Sequence, residues 1–521
     1  MRPTLGHLAA LIAALAAVAA PAARAQSGTG GASSPNQAAE PPSPAVAPGP
    51  APVPVELVLN PLAPGRPVPA GFLGLSFEAQ ALGQLSPLGE RGDLVRLLRS
   101  LGPGVLRFGG ITADENVAWT DSVTPKPEWA SSTIGPAQMH GLGVLARRSG
   151  WGVLLTVGMA HYEPQAAARE VAAAHAALGR MLVGVEIGNE PDAYGRHGFR
   201  TPPWGAEEYE EQVDVYREAI DALTPGVPVA GPDVSGSGAF AEWGNAEALA
   251  QAPALLTGHH YPLGCAQIPP PSIETLLSSA TRGAEAHSLE TYLTVSRGQD
   301  LPFRVDETGS VSCGGVAGIS NTYAAALWAS GYIGQAMAAG TVGVNLQGNP
   351  LNCAGYTPLC ASDPASLAAG SLHPQPPWYA LLLTRSLVGE RPLPTTIVSA
   401  ASPNLAAYGF AGPSRTRKLL LVDDEAPGSA PLALRVPLGS GLGVASVLRL
   451  TGPSLAATGG LRLGGRAVSA AGSWQPPARG ESAPVHRGVL SMQLQPASAA
   501  LVTVTPAPKK KRHKRRGAHR G

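Results

Sequence analysis

The chain has 521 residues, longer than an ordinary single domain, which favours one large body with a smaller partner. Gly and Pro fill 116 of the 521 positions, about 22%, below the roughly 25–30% that marks low-complexity disorder, so a packed core is expected. The net charge of +1 hides an asymmetry: residues 26–508 carry 27 of the 37 basic side chains against all 36 acidic ones, so the body is acidic and the basic excess lies in the tail.

In chain order, residues 1–25 read as an export signal, with Arg2, an apolar run from Leu8 to Ala20 and a small-residue cleavage site at Ala23-Arg24-Ala25. That run is shorter than the roughly 20 residues a spanning helix needs, and no later segment supplies one, so no membrane span is expected after cleavage. The expected destination is secreted or cell-envelope associated. Residues 26–54, rich in Ala, Pro, Gly and Ser without periodicity, read as a linker. A strand at Val55 to Leu59, within a segment 55–70, is placed with the C-terminal domain.

From 71 to 390 short apolar runs alternate with amphipathic ones. Eight strands are predicted: Phe72 to Glu78, Val105 to Phe108, Gly152 to Val157, Leu182 to Ile187, Val227 to Ala230, Leu255 to Tyr261, Phe303 to Glu307 and Thr341 to Leu346. Helical patterns between them include Leu94-Leu97-Leu98-Leu101, Gln165 to Leu178, Glu207 to Leu223, Ile273 to Val295 and Thr322 to Ala339, with a last helix at Trp378 to Leu387. This is α/β patterning that suits a (β/α)8 TIM barrel; a doubly wound open sheet is the alternative. Across 391–506 short alternating runs separated by Gly, Pro and Ser turns predict an antiparallel β-sandwich. Residues 507–521 form a basic tail, Lys509-Lys510-Lys511-Arg512-His513-Lys514-Arg515-Arg516 at its centre. Such a charge block could bind nucleic acid, but on an exported chain no nucleic acid is expected and the expected contact is anionic envelope polymer, with a solvated tail lacking any partner as the alternative.

Four cysteines in an exported chain allow two disulfides in three connectivities. Cys353 with Cys360, seven apart in a Gly/Pro-containing loop, and Cys265 with Cys313, at two neighbouring strand ends, are the expected pairs. No cysteine has redox or zinc spacing, and His259-His260 lacks a third ligand, so no metal or cofactor is expected.

Active sites of TIM barrels lie at the C-terminal ends of the strands. Two glutamates end apolar strands there: Glu190 in Val183-Gly184-Val185-Glu186-Ile187-Gly188-Asn189-Glu190-Pro191, and Glu307 in Phe303-Arg304-Val305-Asp306-Glu307-Thr308-Gly309-Ser310. These are strands four and seven. Two carboxyls facing across a cleft at about 5 to 5.5 Å suit double displacement, in which one attacks the anomeric carbon and the other protonates the leaving oxygen and then activates water. For Glu190 to be protonated near neutrality, burial and the charge of Glu307 must raise its pKa. Asp192 and Asp306 are the neighbouring acids that compete for these roles.

Scattered segments between Phe72 and Tyr379 resemble the family 79 glycoside hydrolases, the β-glucuronidase and heparanase group of a retaining TIM-barrel clan. They are Gly74-Leu75-Ser76-Phe77-Glu78, Leu106-Arg107-Phe108-Gly109-Gly110, Glu186-Ile187-Gly188-Asn189-Glu190-Pro191, His259-His260-Tyr261-Pro262, Glu307-Thr308-Gly309-Ser310-Val311-Ser312-Cys313-Gly314-Gly315 and Ala324-Ala325-Ala326-Leu327-Trp328. The resemblance implies a carbohydrate substrate, Glu190 as general acid/base, Glu307 as nucleophile and Asn189 as the amide that binds the sugar 2-hydroxyl. It further implies Arg107 steadying the nucleophile, or forming a structural ion pair, and Tyr261 as a phenol donor to Glu307, with His260 on the same wall. Glu78 is expected either to bond sugar hydroxyls or to pair with Arg107. Tyr356, in the loop after strand eight, is the candidate for a sugar carboxylate. Leu346-Gln347 departs from the family's pattern of an aromatic and a histidine, with Gln347 placed at the sugar.

No Gly-x-Ser-x-Gly elbow, His-Glu-x-x-His or P-loop occurs, and Gly141-Leu142-Gly143-Val144-Leu145-Ala146 lies inside a helical pattern rather than after a strand. The rival from another class is a non-catalytic carbohydrate-binding or envelope protein on the same barrel.

Overall fold

The computed structural model describes residues 50–469 and 472–507. The predicted signal segment, residues 26–49 of the linker and the tail from 508 onward lie outside the described residues. Eight parallel strands form the larger body: β1 (Leu73–Glu78), β2 (Val105–Gly109), β3 (Gly152–Val157), β4 (Leu182–Ile187), β5 (Ala230–Val234), β6 (Leu255–His260), β7 (Phe303–Thr308) and β8 (Gly343–Gly348). Their hydrogen-bonded order is β4-β3-β2-β1-β8-β7-β6-β5. The ring closes between β4 and the start of β5 through a Val185–Val229 bridge and the bond from Val185 N–H to the Pro228 carbonyl, 2.9 Å. Helices follow most strands, among them Pro164–Leu178, Ala206–Leu223, Ser279–Gln299 and Tyr323–Ala339.

Two expectations shift in register. The fifth strand, expected at Val227 to Ala230, runs from Ala230 to Val234, through Gly231-Pro232-Asp233. Gly-Pro reads as a turn, yet Pro232 fits this strand because the edge toward β4 carries almost no ladder for its missing N–H to break. The helix expected over Ile273 to Val295 is split into a turn, Ile273–Leu276, and the long helix Ser279–Gln299; Ser278 caps the second by accepting from Thr281 N–H at 3.1 Å.

Side chains on alternate residues face opposite sides of a strand, and in this barrel that alternation sorts chemistry. The inward column begins apolar, with Val105, Leu154, Ala230 and Leu255 packed together. Two residues further along the same strands it becomes polar, with Arg107, Thr156 and Thr257, and beyond Thr257 comes His259. The outward column carries residues such as Leu106, Leu155 and Val185, which join the main core under the helices.

The sandwich has one sheet ordered Thr395–Val398, Val53–Leu59, Leu432–Pro437, Val489–Leu494, Val485–His486, and a second ordered Arg391–Leu393, Leu405–Ala411, Arg417–Asp423, Ser498–Pro506, Leu442–Thr451, Arg462–Leu463, with Glu481–Ala483 also on Leu442–Thr451. The early strand thus pairs parallel with Leu432–Pro437. The second sheet is buried on both faces. Leu419 and Leu421 face the sandwich core, whereas Leu420 and Val422 join the barrel's core. This docking is reinforced by Arg282, which bonds Asp424 and Asn404 at 2.7 and 2.6 Å. Both expected disulfides are present, Cys265–Cys313 and Cys353–Cys360. Among the described residues no helix is long and apolar enough to cross a membrane.

Candidate active site

A cleft of about 850 Å³ opens at the C-terminal ends of the strands. Glu78, Asn189, Glu190, His260, Tyr261, Glu307, Gln347 and Tyr356 all line it. Arg107, grouped with the sugar-binding residues from sequence, does not: it is fully buried beneath the floor.

Glu307 reaches the cleft because β7 is irregular. The pairing register of β7 with β6 slips between Val305 and Glu307. Such a bulge re-aims side chains, and here both Asp306 and Glu307 turn toward Arg107. Glu307 Oε2 accepts from Arg107 Nη1 and its Oε1 from the Tyr261 hydroxyl, each at 2.7 Å. Gly309 has no side chain where a Cβ would stand 2.6 Å from Tyr356 and 3.0 Å from Tyr261, so glycine lets the two rings lie over the strand end. Their centroids are 5.8 Å apart.

Glu190 sits on the turn after β4 in the left-handed region, φ 48°, ψ 53°. A non-glycine residue there is strained, and its backbone is held at two points: its N–H donates to the Asp233 carbonyl at 2.9 Å and its carbonyl accepts from Ala193 N–H at 2.8 Å. Asp114 braces the preceding residue by accepting from Asn189 N–H, 2.9 Å, and from the Tyr194 hydroxyl, 2.7 Å. The Asn189 side-chain oxygen accepts from Arg107 Nη2 at 2.9 Å, which leaves its amide N–H groups for a hydroxyl in the cleft. Oxygens of Glu190 and Glu307 approach within 4.8 Å of each other.

The histidine that reaches the glutamates is His259, not His260. Successive residues of β6 face opposite sides, so His259 points inward with Nδ1 2.8 Å from Glu190 Oε1 and Nε2 2.8 Å from Asp233 Oδ1. His260 stacks on Tyr332 at 5.2 Å and bonds the Ser288 hydroxyl at 3.2 Å, and only 12% of its side chain is exposed. Burial pushes its pKa down to about 4, so it is neutral.

Glu78 accepts from Thr112 N–H and hydroxyl at 3.1 and 2.8 Å, and no ion pair with Arg107 forms. Gly110, φ 70°, makes room for it, since a Cβ there would stand 2.4 Å from Glu78 Oε2. Burial, aided by the charge of Glu307, raises its pKa to about 7. Gln347, 1% exposed, ends β8 with its Oε1 unpartnered.

Below the cleft, Arg107 Nε donates to Glu186, Nη1 to Ser76 and Glu307, and Nη2 to Asn189 and Asp233, while Asp306 lies 3.0 Å from Nε. Thr156 supplies Glu186 with a second donor at 2.7 Å. Burial raises the pKa of Asp233 and Glu186, whereas for Asp306 the same burial is outweighed by Arg107 and His259, which hold it ionised. Burial also disfavours the charged form of His259, but Glu307, Asp233 and Asp306 outweigh it and raise its pKa well above the ordinary value. The same ring bears on Glu190. Burial would raise that carboxyl, as expected from sequence, but the hydrogen bond and charge of His259 prevail and the pKa is lowered. Among the described residues two groupings bring three ligand atoms within 4.8 Å, Glu190-His259-Glu307 and Asp233-His259-Asp306, and both histidine nitrogens are already engaged by carboxylates.

His259, Asp233, Glu186 and Thr112 are site residues that the strand-end pattern does not single out. The first and third were visible as polar residues on the inward register of apolar strands, two positions before Tyr261 and four before Glu190.

No protein-family model matches the chain, and no curated protein matches it in sequence. Solved structures do match. A 4-O-α-L-rhamnosyl-β-D-glucuronidase from Fusarium oxysporum 12S is 20% identical with a TM-score of 0.68, over 87% of this chain and 99% of its own. A family 51 α-L-arabinofuranosidase from Bifidobacterium longum is 15% identical, TM-score 0.63, over 87% and 100%. The family 51 arabinofuranosidase from Xanthomonas axonopodis pv. citri is also 15% identical, TM-score 0.62, over 87% and 100%. What the chain shares with these enzymes is their fold, a (β/α)8 barrel carrying a β-sandwich.

Proposed function

We propose that the chain is a retaining glycoside hydrolase with Glu307 as nucleophile and Glu190 as general acid/base. One observation carries the reading: the two carboxylates face each other within 4.8 Å across the cleft. Double displacement works with carboxyl groups about 5–5.5 Å apart, while inverting enzymes need about 6.5–9.5 Å to seat a water. Each glutamate has surroundings suited to its part. Glu307 is aimed by two donors, Arg107 and Tyr261, that hold a carboxylate as an anion. Glu190 is bonded by His259, whose N–H stabilises the carboxylate left behind as the proton goes to the glycosidic oxygen. Asn189, braced by Arg107, would bind the 2-hydroxyl as the anomeric centre becomes cationic.

The substrate class proposed first is a β-glucuronide, on the sequence resemblance and on the glucuronidase among the structural neighbours. Tyr356 and the adjoining backbone would receive the sugar carboxylate. Two disulfides fit an exported enzyme, and the basic tail would hold it to anionic envelope polymer.

The test is a panel of chromogenic β- and α-glycosides, glucuronide included. Wild-type hydrolysis with retained anomeric configuration is expected, and Glu307→Gln should lose at least about 10³-fold in kcat/KM. Glu190→Ala should keep activity on 2,4-dinitrophenyl leaving groups, and azide should restore turnover as a β-azide product from a β-glycoside. Binding without turnover in either form would favour the carbohydrate-binding rival, and azide rescue that gives the retained β-azide with the Glu307 variant and the inverted α-azide with the Glu190 variant would exchange the roles.

A further inference from the structure

Asp233 lies at a position that the two-glutamate mechanism does not call on. It follows the Gly231-Pro232 pair in β5, is fully buried and has φ 58°. A buried aspartate in the left-handed region is costly twice over, in backbone strain and in desolvation. Its contacts all lead to the reaction centre. The backbone carbonyl takes the N–H of Glu190 at 2.9 Å, Oδ1 lies 2.8 Å from His259 Nε2, and Oδ2 accepts from Arg107 Nη2 at 2.7 Å. The other ring nitrogen of His259 is 2.8 Å from Glu190 Oε1. Glu190 is therefore linked to Asp233 twice, once through the backbone and once through the imidazole.

We propose that Asp233 is a positioning residue that keeps both nitrogens of His259 protonated, so that the ring presents a charged N–H to the acid/base carboxyl of Glu190. The inference rests on the assignment of Glu190 as acid/base. The groups facing the ring agree with it. Glu190 comes from the turn after β4, Asp233 from β5, and Asp306 and Glu307 from β7 at 3.6 and 3.9 Å from Nε2. Arg107 from β2 bonds Asp233 and Glu307 rather than the ring, and Tyr292 of the helix Ser279–Gln299 donates to the His259 backbone carbonyl. Every titratable side chain bonded to the imidazole is a carboxyl, so with Asp233 held ionised by the bond from Arg107 both nitrogens act as donors.

Asp233→Asn makes the prediction sharp. An amide has one acceptor, and Arg107, which has no acceptor of its own, should claim it. The amide N–H2 then faces Nε2, which must give up its proton to accept. His259 becomes neutral with its hydrogen on Nδ1, and Glu190 loses its cation.

Two measurements test this. In wild type, the side-chain ¹⁵N resonances of His259, identified by their loss in His259→Gln, should be those of an imidazolium at pH 7 and those of a neutral ring in Asp233→Asn. A neutral ring in wild type overturns the proposal without any variant of Asp233 being needed. In kinetics on the p-nitrophenyl glycoside hydrolysed best in the panel, Asp233→Asn should move the alkaline limb of kcat/KM upward by on the order of one pH unit. His259→Gln should move it similarly, and the double variant no further. The 2,4-dinitrophenyl glycoside, which needs no proton, should be hydrolysed by Asp233→Asn within about tenfold of wild type. An unmoved limb, or equal losses on both leaving groups, reduces Asp233 to a structural role. If no glycoside is hydrolysed by wild type, the acid/base assignment fails, while the resonance still reports the protonation of His259.

Discussion

Arg107 has five N–H donors, and each has a different acceptor: Glu186, Ser76, Glu307, Asn189 and Asp233. No other side chain could do this, because only the guanidinium offers five donors in a fixed plane. Arg107→Lys keeps the charge but offers three donors on one atom, so at least two acceptors go without. Breaking a buried pair costs about 3–5 kcal/mol, since the partner carboxylate is left uncompensated. The expected outcome is a folded but destabilised protein whose kcat falls by about 10²-fold or more, through the loose Glu307. Thermal unfolding and steady-state kinetics on one preparation check it; a variant with wild-type kcat would show that Tyr261 alone aims Glu307.

At the scale of strands and loops, the barrel was legible because eight apolar runs with polar ends recur between amphipathic ones. Glu190 and Glu307 stood out because each closes such a run. What was less legible has specific causes. Gly231-Pro232 punctuates β5 as if it were a turn, and the ladder that would have excluded proline is absent on that edge, so Asp233 fell outside the strand read from sequence. His260 was chosen over His259 for want of the strand's phase, which Tyr261 does not fix, as the chain leaves β6 there. The bulge at Asp306 could not be read at all, since an alternating strand would send Asp306 and Glu307 to opposite faces. The loops after β6 and β7 are joined by a Leu263–Val311 bridge, the bond from Cys265 N–H to Ser312 and the Cys265–Cys313 disulfide. That disulfide closes a separation of 48 residues and Cys353–Cys360 one of 7, so chain entropy alone assigns them roughly 4 and roughly 2.5 kcal/mol. Replacing Cys265 and Cys313 together by Ala should lower the unfolding midpoint more than replacing Cys353 and Cys360. The reverse order, in denaturant titrations of the two double variants, would show that the strands already hold the first pair of loops.

Among the described residues most buried carboxyls shift in one direction, upward. Burial alone raises Glu170 to about 8, and burial with a bond from Trp328 that only partly opposes it leaves Glu285 also at about 8. Asp423 and Asp424, where the sandwich meets the barrel, are raised to about 7, chiefly by desolvation. An unfolded carboxyl loses its proton near pH 4, so between about pH 4.5 and 8 the folded chain holds more protons than the unfolded one, and stability falls as pH rises. His259 adds to the same slope: its raised pKa contributes stability that is complete below the ordinary histidine value and is lost as pH climbs through the raised one. Asp306 and Glu190, lowered, act oppositely, but their contribution is lost only on acidification below the ordinary carboxylate range. The net acidic charge of residues 26–508 adds self-repulsion as pH rises. Calorimetry should therefore find the unfolding temperature several degrees higher at pH 5 than at pH 8. Glu170→Gln, which changes a side chain outside the cleft and removes the charge without removing its volume, should raise the value at pH 8 while leaving that at pH 5 nearly unchanged. A midpoint that rises from pH 5 to pH 8, or a Glu170→Gln effect equal at both, would mean that these carboxyls ionise inside the folded chain at little cost.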